Sequence, residues 1–166
     1  MNMEFSLLSR QHNKNNFFSG QPQLVQYLKT QASQDIKRKL AVCFVLTENE
    51  KDIMGYYTLS SSGIQRTHLT QALQQKMPPF YSQLPVTLLG RLARDVKYKG
   101  QDIGNILLID ALKRSYEVSL NAIASMAVVT DPIDDKAAAF YKKYGFISLE
   151  SGRMFLSMGT IAELLK

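Results

Sequence analysis

The sequence predicts an α/β fold, a central mixed β-sheet with helices on both faces. Three observations carry this expectation. Apolar segments of strand character alternate with segments of helical spacing along the chain. The central strand PVTLLGRLARD runs through a short loop and an amphipathic helix into another apolar strand, the pattern of a parallel crossover. The chain has 166 residues, of which 45% are apolar, enough for one domain, residues 1–166, with a full core.

Element by element, FSLLSR (Phe5 to Arg10) reads as a short strand. From Pro22 to Lys39 the residues Leu24, Tyr27, Leu28 and Ala32 recur at helical spacing, and Pro22 suits a first helical turn. LAVCFVLT and IMGYYTLSS, joined by the polar TENEKD, read as an antiparallel hairpin. Thr67 to Met77 suits a short helix, ended by Pro78 and Pro79. PVTLLGRLARD is a long strand with Gly90 as a candidate bulge. From Asp102 to about Leu120, Ile103, Ile106, Leu107, Ala111 and Leu112 mark one helix face. NAIASMAVVT (Asn121 to Thr130) is expected as a buried strand, and DDKAAAFYKKYG as a helix stopped by a left-handed Gly145. FISL and RMFLSM close the sheet.

Composition narrows the chemistry. The single cysteine, Cys43, lies in an apolar run and is expected as a buried thiol; it excludes a disulfide framework and a cysteine metal cluster. With only His12 and His68 besides, far apart in the chain, no metal site is expected. The N-terminal MNMEFSLLSR lacks the apolar run of a signal peptide and no window matches a spanning helix, so the cytoplasm and no membrane association are expected. A formal net charge of +6 favours a polyanionic partner or a phosphorylated co-substrate, although a merely soluble basic protein has the same total. Arg91, Arg94, Lys97 and Lys99 cluster, opposed locally by Asp95 alone.

The loop KYKGQDIG precedes the long helix. A strand feeding a tight loop and a helix presents unpaired N–H groups at the positive end of a helix dipole, where pyrophosphate binds well. An ordinary strand-to-helix turn is the plain alternative. LGRLARDVKYKGQDIGNILLIDAL followed by AVVTDPIDDKAAAFYKKYGF resembles the GNAT superfamily of acetyl-CoA-dependent N-acetyltransferases. In that family a (Gln/Arg)-x-x-Gly-x-(Gly/Ala) loop binds the pyrophosphate; here Lys99 takes the first position, Asp102 the first glycine and Gly104 the last. FFSGQPQLVQYLKTQA, MGYYTLSS, LLGRLARD and AAAFYKKYGF further resemble the toxin branch of bacterial toxin–antitoxin modules, whose members acetylate aminoacyl-tRNA.

The resemblance implies a GNAT-like fold, acetyl-CoA as co-substrate without a metal, aminoacyl-tRNA as substrate and a ribbon-helix-helix antitoxin as partner; it also allows a homodimer. It implies a cofactor site at Leu92, Ala93, Arg94, Lys99, Gly100, Gln101, Asp102, Ile103, Gly104, Asn105, Asp134 and Phe140. It makes Tyr141 the acid that protonates the departing thiolate. Arg91, Lys142 and Lys143 become candidates for tRNA phosphate contacts, against a reading as solvated surface charge.

Asp102 is expected to cap the helix through the N–H of Gly104 or Asn105, weakening the pyrophosphate site without abolishing it. Donors at Gln101, Ile103 and Gly104 are expected to remain. Phe140 and Tyr144, four apart, are assigned to the core and Tyr141 to the site. No glutamate lies between Pro85 and Gln101, and Asp95 is the one acid there. At pH 7 a lysine is only about one part in 10³ neutral and an α-amine roughly a tenth, a gap of about 3–4 kcal/mol, so a missing base suits an α-amino acceptor. Glu150 or a water chain would supply a base otherwise. Two other readings stay open: an acetyltransferase of small amines or protein N-termini, and a degenerate GNAT fold that only binds.

Overall fold

The computed structural model describes residues 2–166. Strands β1 (Glu4–Leu7), β2 (Val42–Thr47), β3 (Ile53–Gln65), β4 (Gln83–Arg94), β5 (Ala127–Thr130), β6 (Ile147–Ser148) and β7 (Met154–Ser157) form one seven-stranded sheet, ordered β1-β2-β3-β4-β5-β7-β6. The crossover expected from Pro85 to Thr130 is present: β4 and β5 pair in parallel, Thr87 opposite Val128 and Leu88 opposite Val129. β2 pairs antiparallel with both β1 and β3, and β7 with both β5 and β6, so the sheet is mixed.

The helices are α1 (Pro22–Gln26), α2 (Ala32–Lys37), α3 (Gln71–Gln75), α4 (Ile103–Asn121), α5 (Asp135–Lys142) and α6 (Met158–Leu164). α1 and α2 are one helical run interrupted by a π-turn, Tyr27–Gln31, in which the Ala32 N–H reaches the Tyr27 carbonyl. Thus the helix predicted from Pro22 exists, with one extra residue inserted in its middle. The chain divides into two compact units: residues up to Ser60 with Gly90–Ala111, and Ser61–Leu89 with Leu112–Lys166.

In the first unit, Val25, Leu28, Ala32 and Ile36 from α1, the π-turn and α2 pack on Cys43 and Val45 of β2, Tyr56 of β3 and Ala93 of β4. α4 approaches β3 closely at Gly55, where a Cβ would stand 2.7 Å from a Leu107 methyl and 2.9 Å from the Ala93 carbonyl. In the second unit, Leu84 and Val86, Ala127 and Val129, and Phe155 take alternate positions on β4, β5 and β7, and share a core with Ile64, Leu69 and Leu149.

Two expectations change. The strand predicted from Asn121 begins only at Ala127, because α4 runs on to Asn121 and a turn leaves Ile123 in solvent. The final helix α6 was not expected; Ser157 caps it, its Oγ accepting the Thr160 N–H at 3.2 Å. Gly90 has a packing reason: a Cβ there would lie 2.8 Å from Thr58 Oγ1. Gly145 does adopt the left-handed conformation expected of it, with φ 97°.

Candidate active site

Each unit holds one part of the expected site. In the first, β4 is followed directly by Asp95, whose buried carboxylate accepts the backbone N–H of Phe18 at 3.1 Å and of Lys97 at 2.9 Å. The Phe18 carbonyl in turn accepts the Val96 N–H at 2.9 Å. The two bonds with Phe18 pin the loop to the segment before α1, and the two accepted by Asp95 commit the one acid of this stretch to a structural role rather than to that of a base. Leu92 and Arg94 are half-buried and Ala93 is buried, leading into Lys99, Gly100, Gln101 and Asp102, all exposed, then into buried Ile103 and half-buried Gly104 and Asn105. The cofactor-loop residues are therefore contiguous and open to solvent.

Asp102 sits at φ 63°, in the left-handed region. Aspartate is among the few non-glycine residues that tolerate this conformation, so it stands where backbone geometry favours glycine. Its carbonyl accepts the first helical bond, from the Ile106 N–H at 3.1 Å, and its carboxylate accepts the Asn105 side-chain amide at 3.0 Å. The N–H groups of Ile103 and Gly104 precede that first bond and lie at the positive end of a 19-residue helix. The Gln101 N–H, expected as a free donor, is instead given to the Tyr98 carbonyl at 3.2 Å. A Cβ on Gly100 would meet nothing within 4 Å. Lys97 and Lys99 are exposed beside the loop. Backbone donors, an open approach and two nearby cations fit a pyrophosphate, with one carboxylate opposing it.

Arg91 is not simply surface charge: its guanidinium lies 3.7 Å from the centroid of the Tyr27 ring, in the π-turn. A contact of this kind contributes about 0.5–2 kcal/mol. Tyr27 donates to Asp35 Oδ2 at 2.8 Å, and burial pushes its phenol well above the usual range. Cys43 is the buried thiol expected, raised to about 12 by burial. His12, also in this unit, is buried; its Nδ1 accepts the Ser9 N–H at 3.0 Å, which leaves Nε2 to carry the proton toward Ser6 Oγ. Burial lowers its pKa.

In the second unit, Tyr141 is 6% exposed, while Phe140 and Tyr144 are half-buried. The core assignment made from spacing is thus reversed. Phe140 packs edge-on against both Tyr141 and Tyr144, and Tyr141 is backed by Phe146 at 5.2 Å between ring centroids. The Tyr141 phenol is pushed up to about 12, mainly by burial and partly offset by a hydrogen bond with the Thr130 side chain. Thr130 is itself fixed, its Oγ1 donating to the Leu89 carbonyl at 2.9 Å. Spacing gave no signal for Thr130, which ends a uniformly buried strand. Asp134 is the N-cap of α5, accepting the Ala137 N–H at 2.8 Å. Lys142 and Lys143 are exposed. Glu150 is exposed in the turn after β6. Arg153 and Asp131 form a bidentate pair with both contacts at 2.9 Å, which also holds the Arg153 guanidinium more firmly protonated.

No group of three or more His, Cys, Asp or Glu suited to a metal occurs among the described residues, and no helix among them is long and apolar enough to cross a membrane. No family model matches the chain. A tRNA-acetylating toxin of Mycobacterium tuberculosis is 32% identical over 78% of this chain and 75% of its own length. The structure of AtaT complexed with acetyl-methionyl-tRNAfMet superposes with a TM-score of 0.90 at 28% identity, covering 99% of this chain and 100% of that one. A mutant of AtaT bound to the C-terminus of the antitoxin AtaR and acetyl-CoA superposes with a TM-score of 0.83 at 25% identity, over 99% and 98% of the two chains. With this identity and coverage, on the fold that its loop and helix motifs resemble, the chain belongs to the tRNA-acetylating toxins of the GNAT type.

Proposed function

We propose that this protein is an acetyl-CoA-dependent N-acetyltransferase that acetylates the α-amino group of aminoacyl-tRNA in the cytoplasm, as the toxin of a toxin–antitoxin pair. The 166 residues act as one catalytic domain, and a ribbon-helix-helix antitoxin neutralises it. The observation that carries the reading is the relation to a tRNA-acetylating toxin, 32% identical over 78% of this chain, with the buried Tyr141 phenol backed by Phe146 as the acid its resemblance implies.

Acetyl-CoA supplies the activated thioester. The first unit serves its pyrophosphate through Ile103 and Gly104 N–H groups at the start of α4, with Lys99 opposing the charge of Asp102 and with Leu92, Ala93 and Arg94 continuing the surface. In the second unit Tyr141 donates its hydroxyl to the departing sulfur. A thiol titrates near ~8.5, below the phenol, so Tyr141 would stabilise the departing thiolate as a hydrogen-bond donor while keeping its own proton, and the proton lost by the attacking amine passes to the thiolate or to solvent. Asp95 is buried and committed to backbone, so no base is assigned; an α-amine, about a tenth neutral at pH 7, attacks without one. Arg91, Lys142 and Lys143 are assigned to the RNA phosphates.

Each neutralised phosphate makes affinity fall with salt. Turnover on aminoacyl-tRNA is expected to drop steeply from low to moderate ionic strength, while acetylation of a free amino acid ester stays nearly flat. Equal activity and equal salt dependence on both acceptors would assign the protein to small amines instead.

A further inference from the structure

A pocket of about 400 Å³ opens on the second unit, and the acetyl-transfer reading above does not use it. Its lining is polar: Gln65, His68, Gln83, Asp131, Ser151 and Arg153. The volume is near the lower end of the roughly 300–1,000 Å³ of ligand pockets, enough for one nucleotide and too small for a helical stem.

The lining is built rather than accidental. Arg153 is held across the pocket by its bidentate contact to Asp131, and three-quarters of its side chain is buried. Two of its nitrogens face Asp131, which leaves other guanidinium N–H groups for a second acceptor. Gln83 lies against Gly63, where a Cβ would stand 3.2 Å from its side-chain amide carbon and would make that side chain shift by a few tenths of an ångström. The position is also informative. Asp131 directly follows Thr130, the last residue of β5, so the pocket begins at the end of that strand.

An apolar amino-acid side chain would find few apolar partners on this lining, where only Ile64 is hydrophobic. A ribonucleotide suits the polar groups: amides read base edges, as glutamine does with adenine, and a guanidinium and an imidazole take phosphate or ribose hydroxyls. No Asp or Glu occurs in the sequence between Asp52 and Asp95, the stretch that supplies Gln65, His68 and Gln83. We propose that this pocket binds the 3′-terminal adenosine nucleotide of the aminoacyl-tRNA, with Arg153 and Gln83 as its specificity-determining residues. The inference rests on the proposed acceptor and deepens it. Because every tRNA ends in the same nucleotide, the pocket distinguishes tRNA-borne amino acids from free ones and leaves amino-acid identity to other surfaces.

The test compares wild type, Arg153→Gln and Gln83→Ala on aminoacyl-tRNA, on the aminoacyl ester of AMP, and on the methyl ester of the same amino acid. Wild type is expected to prefer the AMP ester to the methyl ester by at least about tenfold in kcat/KM. Each variant is expected to raise KM for aminoacyl-tRNA and the AMP ester about tenfold, the loss of one good hydrogen bond. Its kcat, its KM for acetyl-CoA and its methyl ester activity should hold. Gln83 is exposed, so Gln83→Ala keeps the test available should Arg153→Gln lose its fold. Acetyl-CoA carries an adenosine nucleotide too; a KM rise confined to acetyl-CoA overturns the inference, as does an unchanged KM for aminoacyl-tRNA in a folded Gln83→Ala. A wild-type protein inactive on aminoacyl-tRNA would instead overturn the proposed function, and this pocket's role with it.

Discussion

Asp102 shows how one residue can satisfy two demands at odds. Its φ of 63° asks for glycine, and its carboxylate puts a negative charge on the loop where a pyrophosphate is expected. Asp102→Gly removes a negative charge and suits the conformation, so calorimetry should show tighter acetyl-CoA binding; weaker binding would mean that the bond to Asn105 is what orders the loop. Tyr141→Phe keeps the ring packed on Phe140 and Phe146 and removes only the hydroxyl. Steady-state kinetics should give a kcat lower by about 10²–10⁴ with acetyl-CoA affinity retained, while Tyr144→Phe stays active. The role proposed for Tyr141 was legible only through resemblance. Helical spacing placed Phe140 and Tyr144 inside, yet α5 ends at Lys142 and leaves Tyr144 in the turn beyond it, so the spacing does not decide which ring is buried until the neighbour Phe146 is known. The left-handed Asp102 was equally invisible, because residue type suggests a cap before it suggests a positive φ.

Among the elements, α4 and β3 depend on close approach. Gly55→Ala would press a methyl into Leu107 and the Ala93 carbonyl, and of the two only the leucine can yield. Chemical denaturation should show a loss of about 1–3 kcal/mol, the cost of an overpacked core. The turn after β1 is sensitive to pH through His12. Burial holds its pKa below the ordinary 6.5, so the unfolded chain takes up a proton that the folded one refuses as pH falls through and below 6.5. Stability is therefore complete above that value and declines below it; urea midpoints measured from pH 7.5 to 5.5 should fall, and fall less in His12→Gln. Most elements were legible because their periodicity was long: α4, the α1–α2 run and the parallel crossover. The short ones were not. Asn121–Met126 has apolar residues but continues a helix into a turn, and α6 starts directly from β7 with only Ser157 to mark the change.

At the scale of the whole molecule, charge and family point to one acceptor. The formal charge of +6 and the acid-free stretch from Asp52 to Asp95 suit an RNA, and the relative from Mycobacterium tuberculosis is a tRNA-acetylating toxin. The sequence showed the basic balance and the cofactor loop, but not the polar pocket, since Gln65, Gln83 and Arg153 come together only through the strand order. The central claim concerns where the acetyl group finishes. Radiolabelled acetyl-CoA is incubated with the protein and bulk aminoacyl-tRNA, the ester bond is then hydrolysed, and the released label is identified by chromatography. Labelled N-acetyl-amino acid is expected, dependent on prior aminoacylation and lost in Tyr141→Phe. Label found on free amines or on protein, with none released from aminoacyl-tRNA, would contradict it.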